Sequence, residues 1–133
     1  MANLYEVTAR QTGPLAFATD NGEVVVNVGD GNFQPVELFL ASLASCMLST
    51  MLEYAERNQI HLADASVDLS GHMANAPRRI GQINVVYHLP VALSQVHLDA
   101  LVRAGNHCTI HQSLERPPEL VVSVDRTAPL ART

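Results

Sequence analysis

The chain has 133 residues, 47% of them apolar and 16% charged, with a formal net charge of −5. That composition can fill one core and argues against disorder, so residues 1–133 are expected to form a single domain. The eight positive residues are all Arg and form no basic run, so nucleic-acid binding is not expected; without Lys there is no P-loop lysine and no Schiff-base chemistry.

The first third reads as strands. Leu4–Gln11 is one, ended by Gly13-Pro14. Ala16–Thr19 is a second, closed by the turn signal Asp20-Asn21-Gly22. Glu23–Val28 is β-branched and alternating, a third strand, followed by the flexible loop Gly29-Asp30-Gly31-Asn32.

Pro35 opens a helix expected to run to about Asn58, with Glu37 complementing its dipole. Leu38–Leu52 is apolar or small on every face, the pattern of a helix buried all round. It is shorter than the ~20 residues a membrane span needs and contains Ser42, Ser45, Ser49 and Thr50, so no membrane association is expected. Met1–Ala9 has no basic or apolar leader pattern, and the expected location is the cytoplasm. Covering such a helix in so short a chain calls for a partner subunit, and the expectation is a dimer.

Ala65–Met73 and Ile80–Leu89 alternate as two further strands, the second ended by Pro90. Ser94–Ala104 carries Val96, Leu98, Leu101 and Val102 at helical spacing and is stopped by Gly105. Cys108–Leu114 reads as a short helix, Pro117-Pro118 as its stop and Glu119–Val124 as a final strand. The order is βββ-α-ββ-α-α-β. Segregated runs of strands and helices indicate an α+β fold and not a doubly wound sheet.

The candidate chemistry lies in Cys46 and Cys108. Two cysteines make no disulfide scaffold, so each is inert core, metal fragment or redox group. Cys46 sits mid-helix with no charge near it, where a free Cys behaves as a small hydrophobe. Cys108 opens a predicted helix, where free backbone N–H groups favour a thiolate. Cys108-x-x-His111 beside His107 has zinc-type spacing, but no second ligand pair accompanies it, and no metal is expected. Neither a Gly-x-Ser-x-Gly elbow nor a phosphate-binding glycine loop is present.

Pro35-Val36-Glu37-Leu38-Phe39-Leu40-Ala41-Ser42-Leu43-Ala44-Ser45-Cys46 resembles the first cysteine helix of the osmotically inducible protein C / organic hydroperoxide resistance family. His107-Cys108-Thr109-Ile110-His111-Gln112-Ser113-Leu114 resembles its second cysteine segment. The resemblance implies an OsmC-like fold in an intertwined homodimer that reduces organic hydroperoxides. It implies that Cys46 attacks the peroxide as a thiolate and becomes a sulfenic acid, and that Cys108 condenses with it to a disulfide. A dithiol, often lipoyl, would restore the pair, with no metal or other cofactor.

Two departures from the family pattern stand out. An Arg that activates the sulfur in peroxide-reducing members would fall at Leu15. The carboxylate that holds this Arg would fall at Val36, while Glu37 lies one residue on, ~100° around a helix. Arg10, Arg78 and Arg79 read as solvated surface charges. The departures leave two alternatives beside a peroxidase. One is a protein binding a small apolar or electrophilic ligand among Leu15, Val36, Leu43 and Met47. The other is a thiol-based stress sensor.

Overall fold

The computed structural model describes residues 3–126. Strands β1 (Thr8–Gln11), β2 (Phe17–Asp20) and β3 (Val25–Val28) form an antiparallel meander in the order β1-β2-β3. The β2–β3 turn follows from its side chains. Asp20 Oδ1 accepts the Gly22 N–H, and Asn21 Oδ1 accepts those of Glu23 and Val24. Gly22 holds φ +94°, a conformation that a side chain would strain. β1 is shorter than the predicted Leu4–Gln11: among the described residues Leu4, Tyr5 and Val7 have no strand beside them, and they stay exposed.

Helix α1 spans Pro35–Arg57. Pro35 occupies its first position, where a missing N–H costs nothing. Glu37 folds back so that Oε1 accepts the Gln34 N–H at 2.9 Å, a capping use of its carboxylate. The helix is not buried all round within the chain. Leu43, Met47, Met51 and Ala55, spaced four apart, form its buried stripe, whereas Phe39 and Leu52 are 39% and 42% exposed. By length and composition alone α1 could cross a membrane, longer than the stretch read from sequence. Within the structure it packs against α2 (Gln95–Asn106), α3 (Thr109–Glu115) and β4 (Ser66–Ala74).

β4 pairs with β5 (Arg79–His88) as an antiparallel hairpin. Val67 faces Tyr87 and Leu69 faces Val85, so the half-buried residues share one face, as period-two alternation requires. Gly71 on this face lets α1 come close: a Cβ there would meet a Leu40 methyl at 3.3 Å. Two core clusters result. One joins Met51, Ala55, Ile60 and Leu101, and the other joins Leu43, Met47 and Cys108. Tyr87 packs against both.

Ser94 caps α2, its Oγ accepting the His97 N–H. Gly105 does not stop this helix as predicted; it lies within the last turn and is buried. The predicted final strand, Glu119–Val124, has no strand partner among the described residues. Leu120, Val121, Val122 and Val124 are each more than 80% exposed.

Candidate active site around two thiols

Cys46 lies mid-way along α1, one residue before the buried stripe residue Met47. Cys108 is the N-cap of α3, and its Sγ accepts the His111 N–H at 3.3 Å. The fold brings these cysteines, 62 positions apart in sequence (108 minus 46), into one apolar cluster with Leu43, Met47, Leu69, Ile83, Val85, Tyr87 and Ile110. Both are free thiols packed in the same cluster, close enough for Cys46 to act on the Cys108 thiol. Cys46 is half-buried, whereas Cys108 is 1% exposed.

The electrostatics of the pair run against an anion at Cys108. Burial is the largest influence and pushes its thiol pKa up. The His111 N–H opposes this, the neighbouring Cys46 adds to it, and the Ile110 N–H opposes it again. The net direction is upward, so the helix-start advantage expected from sequence is outweighed by desolvation. Among the described residues, no cationic side chain is among the groups acting on Cys108. Burial, and then Cys108 itself, push the Tyr87 phenol up to about 12, so Tyr87 stays neutral across the physiological range.

The other residues singled out from sequence are placed elsewhere. Leu15 projects from the β1–β2 turn at 98% exposure, and Val36 is 38% exposed in the first turn of α1; neither joins the thiol cluster. Of the four residues proposed to line an apolar pocket, only Leu43 and Met47 touch the cysteines' surroundings. Arg10 pairs with Asp20 at 3.7 Å on the surface, and Arg79 Nη1 donates to the carbonyls of Asn75 and Pro77 in its own turn.

His111 sends its backbone, not its ring, to Cys108. Its Nδ1 lies 3.4 Å from Glu115 Oε1, in a direction that makes no hydrogen bond. Among the described residues no three His, Cys, Asp or Glu side chains gather around a common point.

What the sequence did not reveal is the surround of Cys108. Tyr87, Gly105 and Asn106 meet there, and Tyr87 Oη donates to Asn106 Oδ1 at 2.9 Å. The nearest sequence signal was Gly105, whose lack of a side chain serves close approach and not helix termination.

The family model described as OsmC-like protein matches residues 28–123. No curated protein shows significant similarity to the chain. Among solved structures, an OsmC-like protein from Mycoplasma pneumoniae has a TM-score of 0.78 at 17% identity, covering 86% of this chain and 89% of its own. An organic hydroperoxide resistance protein OsmC from Legionella pneumophila has a TM-score of 0.64 at 20% identity, covering 86% and 90%. The organic hydroperoxide resistance protein OhrB of Bacillus subtilis has a TM-score of 0.64 at 18% identity, covering 86% and 92%. At these identities the likeness is one of fold.

Proposed function

The chain belongs to the OsmC-like protein family, and on that premise we propose that it reduces organic hydroperoxides with the Cys46–Cys108 pair, in defence against oxidative stress. The observation that carries this reading is the packing of two free thiols into one apolar cluster, with Cys46 half-buried. Cys46 is the better placed to meet substrate, because Cys108 is closed to solvent.

The electrons balance in three steps. The Cys46 thiolate attacks the peroxide oxygen, the O–O bond breaks, and an alcohol leaves as Cys46 becomes a sulfenic acid. The Cys108 thiol then displaces the hydroxyl, forming the Cys46–Cys108 disulfide and water. An external dithiol, of lipoyl type, reduces the disulfide and is itself oxidised. The apolar lining suits a hydrophobic alkyl group on the peroxide. Stopping at a disulfide keeps the oxidation reversible. Free thiols of this kind belong in a reducing compartment, and we place the protein in the cytoplasm.

The working unit is proposed to be a homodimer. The protomer exposes 10938 Å², against roughly 6,800 Å² for a compact protein of this mass. The surplus includes the outer face of α1, the β1–β3 sheet and the strand-like segment Leu120–Val124. Burying it in a second copy would match the large, apolar interfaces of obligate dimers. Sedimentation at micromolar protein that gives a single species of protomer mass would reject this.

A second reading has one observation in its favour. Cys108 is held neutral and no cation among the described residues acts on it, which suits a pocket that binds an apolar or electrophilic ligand without turning over peroxide. Free thiols followed over time after adding a bulky organic hydroperoxide to the reduced protein separate the two. Rapid loss of two thiols per chain, abolished in Cys46→Ser, is the expected result. Thiols that persist for hours in the wild type would overturn the peroxidase reading and favour ligand binding.

A further inference from the structure

We infer that Tyr87 is the positioning residue of the dithiol: it clamps the turn between α2 and α3 and thereby holds the Cys108 sulfur against Cys46. This deepens the proposed function and rests on it for its catalytic meaning. Three contacts carry the inference, two of them on the residues leading into the cap of α3.

First, Tyr87 Oη donates to Asn106 Oδ1 at 2.9 Å. Asn106 is the last residue of α2, and only His107 separates it from Cys108. Second, the phenol occupies a notch that exists because residue 105 has no side chain. A Cβ on Gly105 would lie 2.6 Å from Tyr87 Oη and 3.2 Å from its Cε1 and Cζ. A glycine inside a helix is less favourable than an alanine, so its presence there needs a compensating contact. The Gly105 carbonyl also accepts the Cys108 N–H at 3.3 Å, which ties the notch to the cysteine backbone. Third, the Tyr87 ring packs in the same cluster as Cys108 and Cys46.

Cys108 therefore reaches Cys46 from a turn fixed by a side chain on β5, 21 positions earlier (108 minus 87). The upward push that Cys108 exerts on the Tyr87 phenol agrees with their proximity. Because that phenol stays neutral, it acts through its hydrogen bond and its bulk and takes no proton from either thiol. Forming the disulfide needs the two sulfurs to close to about 2.05 Å with a defined dihedral. A turn held in place raises the effective concentration of Cys108 at Cys46, whereas a loose one lowers it.

The test measures that effective concentration directly. Wild type, Tyr87→Phe and Asn106→Ala are equilibrated in glutathione redox buffers, and the Cys46–Cys108 disulfide is quantified. Both variants are expected to lower the disulfide equilibrium constant about fivefold, which corresponds to one net hydrogen bond. The double variant is expected to fall no further, since both substitutions remove the same bond. Val28→Ala, buried on β3 outside both core clusters, controls for general loss of stability.

In parallel, alkylation of Cys108 in the reduced protein, resolved from Cys46 by peptide mass, is expected to speed up several-fold in both variants but not in the control. Equilibrium constants and Cys108 alkylation rates that match the wild type, or move no more than in Val28→Ala, would overturn the inference. If the wild type forms no disulfide in any buffer, the peroxidase reading fails. The Cys108 alkylation rates then decide the positioning role by themselves.

Discussion

Replacing Gly105 by Ala sets two effects of opposite sign against each other, and the structure decides which wins. Inside a helix the substitution should stabilise by about 1 kcal/mol, because glycine loses more backbone entropy on folding. Against this stands a Cβ 2.6 Å from Tyr87 Oη. The oxygen cannot swing aside freely, since the ring that carries it is wedged between both core clusters. Overpacking of this kind costs about 1–3 kcal/mol. Retreat of the phenol also breaks its 2.9 Å bond to Asn106, a loss of about 1 kcal/mol. The balance is a net destabilisation of about 1–3 kcal/mol.

Urea unfolding at fixed protomer concentration reads this out. With an m-value of roughly 2 kcal/mol/M, the midpoint should fall by about 0.5–1.5 M. The double variant Gly105→Ala/Tyr87→Phe removes the oxygen, after which the tightest remaining contacts are the ring carbons at 3.2 Å. It should recover much of the loss, giving a coupling of about 1 kcal/mol or more between the two sites. A Gly105→Ala protein with a midpoint above that of the wild type would refute the reasoning. It would mean that helix propensity alone governs the position and that the notch is unoccupied in solution.

Met47→Ala should cost about 2–5 kcal/mol, since Met47 is 1% exposed and central to the thiol cluster; a loss under 1 kcal/mol by chemical denaturation would contradict that packing. The pH dependence has a defined sign. Cys108 and Tyr87 both titrate higher in the folded state than unfolded, so the unfolded chain loses its protons first and stability falls as pH rises. Stability should be flat below the ordinary thiol range and decline from about pH 8.5 upward. Cys108→Ala should remove the earlier part of the decline, and an alkaline profile unchanged by that substitution would count against the buried neutral thiol.

The local features were the most legible. Asp20-Asn21-Gly22 dictates its turn through side-chain acceptors and a left-handed glycine, and both are visible in the residue types. Ser94 likewise announces a helix start. The periodicity of Ala65–Met73 and Ile80–Leu89 foretold the β4–β5 hairpin because one face must be apolar. Two readings failed where the answer lies beyond the local chain. Glu119–Val124 has the valine-rich composition of a strand, but a strand exists only with a neighbour, and none is present among the described residues. Gly105 carries the composition of a helix stop, yet its reason is a tyrosine on β5, which no window around position 105 contains. Cys108 was recognisable as a candidate, but the weight of burial over its two N–H donors required the packed structure.

The expectation from sequence that Leu15 takes the place of an activating Arg leads to a last prediction. Leu15 is 98% exposed at the tip of the β1–β2 turn, so an arginine there meets no steric obstacle within the protomer. If a second copy presents this turn to Cys46, Leu15→Arg supplies the missing positive charge. An ordinary cysteine is only about 3% thiolate at pH 7, and a nearby guanidinium that lowers its pKa by ~2 units would raise that fraction about 25-fold. Nucleophilicity falls with basicity, by roughly eightfold for such a change, so the net gain in attack on peroxide is about threefold. Adding Val36→Glu to hold the guanidinium should enlarge the effect, since a fixed charge acts on one geometry. The assay is the second-order rate of Cys46 oxidation by an organic hydroperoxide at pH 7 and again at pH 9. At the higher pH the advantage should reverse: an unassisted thiol is then about three-quarters ionised, and its more basic thiolate is the better nucleophile, so Leu15→Arg should react roughly sixfold more slowly. A rate indistinguishable from wild type at both values would show that the β1–β2 turn does not reach Cys46, and would locate the substrate entrance elsewhere on the α1 face.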